Sequence, residues 1–206
     1  MKLYVAPYAP NPRRVVMFLA EKDITDIEIV TLNLQEGEHR TDEFRAKSPL
    51  SQIPTLELDD GRTLTESRAI CSYFEALQPE PNLMGRDAFE RAFVEMWDRR
   101  MELLLSMPLM MWVRHGNPVL GAVERNQNAE VATYNQGQAM RMATWLNTEL
   151  ANRAWIAGDR FTIADITAAC GMDFAKMMRW RPGEDLPHLK RWRDAFSTRA
   201  AGQVAA

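Results

Sequence analysis

Apolar residues recur along this chain with two different periods, and the place where the period changes divides it in two. Leu3-Tyr4-Val5 is a short apolar run that reads as a strand. A loop holding Pro7, Pro10 and Pro12 follows, after which Val15, Phe18 and Leu19 repeat at helical spacing up to Lys22. Ile27 to Thr31 alternates and is β-branched, which predicts a second strand. Leu32 to Arg40 is polar and reads as loop, and Thr41 to Lys47 as one or two helical turns. Thr55 to Leu58 and Thr63-Leu64 flank Asp59-Asp60-Gly61 as a hairpin. Glu66 to Leu77 predicts a helix with Ile70, Tyr73, Phe74 and Leu77 on one face. The order β-α-β-(α)-β-β-α describes a small α/β sandwich on a mixed sheet.

Gln78-Pro79-Glu80-Pro81-Asn82 carries two prolines and no periodicity, and reads as a linker. Beyond it only helical spacing survives. Phe89, Ala92, Phe93, Met96 and Trp97 outline one amphipathic helix; Met142, Leu146 and Leu150 outline another, and Leu189, Trp192 and Phe196 a last one. The expected organisation is an α/β domain over residues 1–78, a linker over 79–85 and an all-α bundle over 86–206. Within the bundle, Thr162 at a helix start with Asp165 three residues on predicts a capping box, and Phe161 and Ile166 flank it as a hydrophobic staple. Met107, Met110, Met111 and Trp112 form a soft apolar cluster in a helix kinked or ended near Pro108.

Composition narrows the function. At 206 residues and 46% hydrophobic content, the chain can build one or two real cores. Lys plus Arg total 25 against 28 Asp plus Glu, so a net charge of −3 gives no reason to expect nucleic acid or an anionic membrane as partner. The longest apolar stretch, Leu103 to Val113, is interrupted by Ser106 and Pro108 and is too short to span a bilayer. Met1-Lys2-Leu3-Tyr4-Val5 does not resemble a signal peptide. Cys71 and Cys170 lie far apart and His39, His115 and His188 are scattered, so no metal-ligand spacing exists and no metal is expected. The cysteines read as small core residues on helices, and a cytoplasmic location is expected.

The sharpest chemistry lies between Gln52 and Ser67. Pro54 heads a short strand, and X-Pro is the one common setting for a cis peptide bond. A bend there would leave the N–H and C=O of Ile53 free to pair with an extended peptide, as a strand edge does. Glu66 and Ser67 open a helix, where free N–H groups and the dipole attract a carboxylate. Together these residues suit a small peptide with a free amino-acid head.

Four segments in this order resemble the cytosolic glutathione transferases over essentially the whole chain: Ala9-Pro10-Asn11-Pro12-Arg13-Arg14-Val15, Ser48-Pro49-Leu50-Ser51-Gln52-Ile53-Pro54, Glu66-Ser67-Arg68-Ala69-Ile70 and Gly158-Asp159-Arg160-Phe161-Thr162-Ile163-Ala164-Asp165. The resemblance implies a thioredoxin-like N-terminal domain, an all-helical C-terminal domain, a cis bond before Pro54 and a homodimer. It implies glutathione as co-substrate, bound through the main chain at Ile53 with Gln52 beside it. In that picture Glu66 meets the γ-glutamyl ammonium, Ser67 its carboxylate, and His39 the glycine carboxylate. Many relatives place a serine at the start of the first helix to donate to the sulfur; here that position is Ala9.

Another donor must then stabilise the thiolate, since a free thiol has a pKa of about 8.5 and is mostly protonated at neutral pH. Three groups in the first loop can supply this, the Asn11 amide, the helix N-terminus after Pro12 and the Tyr8 phenol; Asn11, assisted by the helix end, is the expected one. Asn11 also fits as an N-cap with Pro12 at the first helical position, so capping alone and capping plus thiol contact both stand. Arg13 and Arg14 oppose the helix dipole unless an anion lies near, either a bound one or a carboxylate across the domain interface. Tyr8, Met107 and Met111 are expected to line an apolar pocket for an electrophile. The function expected is glutathione transfer to an apolar electrophile. The alternatives are a glutathione-dependent disulfide reductase or peroxidase on the same fold, or a non-catalytic glutathione-binding protein.

Overall fold

The structure is a computed structural model and describes residues 1–204. It divides into two compact units, one of Met1–Pro81 joined by Val204, the other of Asn82–Gln203.

In the first unit the elements are β1 (Lys2–Val5), α1 (Pro10–Glu21), β2 (Glu28–Thr31), α2 (Asp42–Lys47), β3 (Thr55–Glu57), β4 (Thr63–Thr65) and α3 (Ser67–Leu77). Among the described residues four strands form one mixed sheet in the order β2-β1-β3-β4. β1 runs parallel to β2, with Leu3 opposite Ile29, and antiparallel to β3, with Tyr4 opposite Thr55; Thr55 in turn faces Thr65 of β4. The β-α-β-α-β-β-α order is the one the hydrophobic pattern predicts. Leu3, Val15, Phe18, Leu19, Leu56, Ile70 and Phe74 are buried and form the core. On α3 the buried face is Ser67, Ile70, Cys71 and Phe74, while Leu77 is 57% exposed, so its assignment to that face is corrected. A turn of 3₁₀ helix over Glu38–Arg40 interrupts the expected loop, and Thr41 caps α2 by accepting from the Phe44 amide.

The second unit is helical: α4 (Ala88–Arg100), a π-helical turn (Met101–Ser106), α5 (Met107–Gly116), α6 (Ala129–Glu149), α7 (Ile163–Ala175), α8 (Pro187–Ser197) and α9 (Ala200–Gln203). The π turn is how the helix passes Pro108, whose ring and missing N–H conflict with an α-helical carbonyl four residues back. The inward face of α4 is Val94, Trp97 and Asp98, whereas Phe89 is 77% exposed. The apolar periodicity therefore misplaced this face: buried Asp98, which accepts from Thr167 Oγ1 at 2.5 Å, occupies a core position that a search for apolar residues passes over. Leu146, Leu150, Leu189, Trp192 and Phe196 are buried as expected, and so are both cysteines, neither of them in a disulfide.

The capping box is present at the start of α7. Four donors converge on Asp165: the Thr162 amide and hydroxyl on Oδ2, and the Ile156 amide and Trp192 Nε1 on Oδ1. Full burial pushes the Asp165 carboxyl up to about 6, against the pull of those donors.

Candidate functional site

The sheet topology gathers the candidate residues at one end of the first unit. β1 and β2 run parallel, while β3 runs antiparallel to β1 and to β4. The loops leaving β1, β2 and β4 and the segment entering β3 consequently meet the same edge. These are the stretches that hold Tyr8 to Asn11, His39, Glu66-Ser67 and Gln52 to Pro54. Three of the non-glycine residues in the left-handed backbone region lie in or beside them: Tyr8 (φ 63°), Ser51 (φ 54°) and Glu66 (φ 65°). A bulky residue held there costs of order 1–3 kcal/mol, and such positions cluster at functional sites.

The peptide bond between Ile53 and Pro54 is cis, as expected. Ile53 lies outside β3, is half-buried, and its main-chain N–H and C=O have no partner among the described residues. Pro54 follows without an N–H, and Thr55 begins the ladder.

At the start of α3, Glu66 occupies the N-cap and Ser67 the first helical position. Ser67 is buried, and its Oγ accepts from Arg14 Nη1 at 2.9 Å. Arg14 is itself buried, on α1. A hydroxyl that accepts from a guanidinium keeps its own proton to donate. Ser67 thereby retains a donor, with a cation directly behind it. Sequence reading placed an anion near Arg14 but not this contact, because the partner lies 53 positions away and is neutral. Arg13 donates to the carbonyl of Val204 at 3.0 Å.

The helix start near the expected sulfur position differs from expectation. α1 begins at Pro10, Ala9 is the N-cap with extended backbone (φ −70°, ψ 125°) and Asn11 is the second helical residue. Capping by Asn11 with Pro12 at the first position is thus corrected: two prolines in the first turn fix φ and draw the helix back to start at Pro10. They also strip the turn of donors. Pro10 and Pro12 have no N–H, and the Arg13 amide is bonded to the Ala9 carbonyl at 3.2 Å. Asn11 is exposed, and neither its amide N–H nor its side chain has a partner among the described residues.

His39 sits in the 3₁₀ turn after β2. Its Nε2 accepts from Arg40 Nε at 3.2 Å, so the neutral ring carries its proton on Nδ1, which is buried and unpartnered. Burial first, then the Arg40 charge, lowers the His39 pKa and favours this neutral form. Arg40, exposed beside it, is a cationic group that sequence reading passed over; its adjacency to His39 was the available signal.

The residues expected to hold an electrophile fall on both units. Tyr8 is 67% exposed on the first. Met107 and Met111, one turn apart on α5, are exposed and half-buried on the second. Among the described residues no cluster of three or more His, Cys, Asp or Glu is arranged to hold a metal, and no helix is long and apolar enough to cross a membrane.

Comparison with known proteins identifies both halves of the chain. Residues 8–77 match the model of the glutathione S-transferase N-terminal domain and residues 106–200 that of the C-terminal domain. Glutathione S-transferase 2 of Saccharomyces cerevisiae is 37% identical over 194 residues, covering 93% of this chain and 83% of the yeast protein. The solved structure of Gtt2 from the same yeast superposes with a TM-score of 0.92 at 35% identity, covering 98% of this chain and 99% of that one. A glutathione S-transferase domain-containing protein of Marinobacter aquaeolei gives a TM-score of 0.92 at 37% identity, covering 98% of this chain and 100% of the other. Two matching domain models in chain order and a relative alike over nearly the whole length place the chain in the glutathione S-transferase family.

Proposed function

We propose that the protein is a glutathione transferase that binds glutathione on its first unit and holds the sulfur as thiolate at Asn11. The observation that carries this reading is the first turn of α1, where two prolines and the bonded Arg13 amide leave Asn11 as the place with free donors. Lowering a thiol pKa from about 8.5 to about 6.5 needs roughly 2.7 kcal/mol of preference for the anion. One hydrogen bond to a charged group supplies ~1.5–3 kcal/mol and the helix dipole ~0.3–1 kcal/mol, so the Asn11 amide and side chain suffice without a hydroxyl at Ala9. The rest of glutathione is assigned to Ile53 (cysteinyl main chain), Gln52, Glu66 (ammonium), Ser67 (γ-glutamyl carboxylate) and His39 (glycine carboxylate), with Pro54 fixing the strand entry. Catalysis would then be thiolate stabilisation and positioning, without a covalent enzyme intermediate.

The apolar surfaces assigned to the electrophile are Tyr8 on the first unit and, separately, Met107 and Met111 on the second. The same reading extends to a homodimer and a detoxifying role in the cytoplasm, supported by family membership. Exposed apolar Leu50 and Phe89 are surfaces for a second copy to cover.

The test is titration of glutathione's thiolate absorbance in the complex. Wild type is expected to shift the pKa roughly 1.5–2 units below the free value of about 8.5. Asn11→Ala should lose part of the shift, and Asn11→Pro, which also removes the amide N–H, nearly all of it. An unshifted wild-type pKa would overturn the reading. Conjugation of an aromatic halide, measured against reduction of a mixed disulfide, separates transfer from redox use of the same thiolate.

A further inference from the structure

Between α2 and β3 the chain folds back on Ser48, which is fully buried. Ser48 Oγ donates to the Gln52 carbonyl at 2.9 Å and accepts from the Gln52 amide at 3.1 Å. Thr55, also buried, donates Oγ1 to the same carbonyl at 3.0 Å. The Ser51 amide closes the loop on the Ser48 carbonyl at 2.7 Å, with Ser51 in the left-handed region. Both main-chain polar groups of Gln52 are therefore consumed inside the protein, and the carbonyl twice over. Its neighbour Ile53 is the opposite case, with both main-chain groups unpartnered among the described residues.

Ile53 lies in the bend between the tied Gln52 and Pro54, so holding Gln52 fixes where the Ile53 main chain starts. We propose that Ser48 and Thr55 are positioning residues for peptide capture: their hydroxyls aim the Ile53 main chain at glutathione by tying down the residue before it. The inference rests on the glutathione-binding reading above and adds to it two residues that touch no ligand. Loss of the Ser48 hydroxyl frees Gln52 to turn and blurs the aim of Ile53; loss of the Thr55 hydroxyl loosens the carbonyl side alone. Either loss leaves Asn11 and its first helical turn unaltered, so binding weakens while thiolate chemistry does not.

The experiment uses the full chain with Ser48→Ala, Thr55→Val and Thr55→Ser, reading glutathione Kd by calorimetry, KM and kcat by conjugation, and the melting temperature. Removal of one or two hydrogen bonds that fix a binding group is expected to raise Kd and KM for glutathione about tenfold in Ser48→Ala and several-fold in Thr55→Val. The kcat at saturating glutathione should stay within roughly twofold. Thr55→Ser keeps the hydroxyl and should bind as wild type does. If Ser48→Ala does not fold, the Thr55 pair still decides, since valine and serine differ there in shape and hydroxyl independently. Unchanged Kd with a lowered melting temperature would show that the hydroxyls only stabilise the loop, and would overturn the proposal alone. A wild-type chain that does not bind glutathione would overturn the underlying reading, and the proposal with it.

Discussion

Ser67→Ala removes one oxygen, and the structure says what that oxygen does. It accepts from buried Arg14 at 2.9 Å and keeps its own proton to donate. A hydrogen bond to a charged group contributes ~1.5–3 kcal/mol, so the γ-glutamyl carboxylate should lose roughly 10- to 150-fold in affinity. Arg14→Met removes the cation that orients the hydroxyl, and should cost about 1–2 kcal/mol of binding. If Arg14 acts on the ligand through Ser67, the double variant should bind only slightly worse than Ser67→Ala, a coupling of ~1 kcal/mol or more. Calorimetric titration with glutathione on all four chains measures the cycle, after circular dichroism confirms folding. A glutathione analogue decarboxylated at its γ-glutamyl end should be indifferent to Ser67→Ala. Additivity within ~0.3 kcal/mol, or equal losses for the analogue, would refute the arrangement.

Three further outcomes follow from other contacts. A Cβ on Gly171 would lie 2.6 Å from the Ser106 Cα, where α7 meets the π turn, so Gly171→Ala should destabilise the chain by ~1–3 kcal/mol, read as a lowered urea midpoint. Lys22 is buried, with Nζ 2.7 Å from the Gln78 carbonyl, 2.9 Å from that of Pro81 and 2.6 Å from Glu75, so Lys22→Met should cost ~3–5 kcal/mol in the same assay. The His39 pKa lies below its ordinary 6.5, so between the two values the unfolded chain binds a proton that the fold does not; the contribution of His39 to stability is full above 6.5 and is lost as pH falls through the lower value. A His39→Gln chain should lack that component when melting temperature is followed against pH.

The elements of the first unit were legible because each carries a local signal that agrees with its place. Pro10 and Pro12 punctuate a helix start, the Asp60-Gly61 turn separates two short runs headed by Thr55 and Thr63, and Thr41 sits where a cap is wanted. The errors came where long-range polar contacts overrode a local rule. Asp98 sits in the core of the second unit because Thr167, 69 residues away, donates to it, and no periodicity of apolar residues registers such a pair. The apolar side chains Phe89 and Leu77, which fit their helical stripes, are exposed instead. The π turn before Pro108 was legible only as a disturbance, since the sequence marks where a proline conflicts with a helix but not which of kink, stop or widened turn resolves it.

The candidate site shows the same division at finer scale. Residue types that act through their own chemistry could be picked from the sequence: a proline before a strand, an acid and a hydroxyl at a helix start, a histidine in a polar loop. What could not be picked was the set of groups that act by withholding donors or aiming them. Asn11 was chosen for its side chain, yet its standing in the structure comes equally from its neighbours, because two prolines and a bonded arginine amide remove the competing donors around it. Ile53 is legible for its main chain, whereas the Ser48 and Thr55 hydroxyls that hold its neighbour Gln52 carry no signal of their own. In both places a site residue is defined by which nearby hydrogen bonds are already made. That accounting is complete only once the backbone has folded, since every buried N–H and C=O must find its partner before the unpaired ones can be recognised.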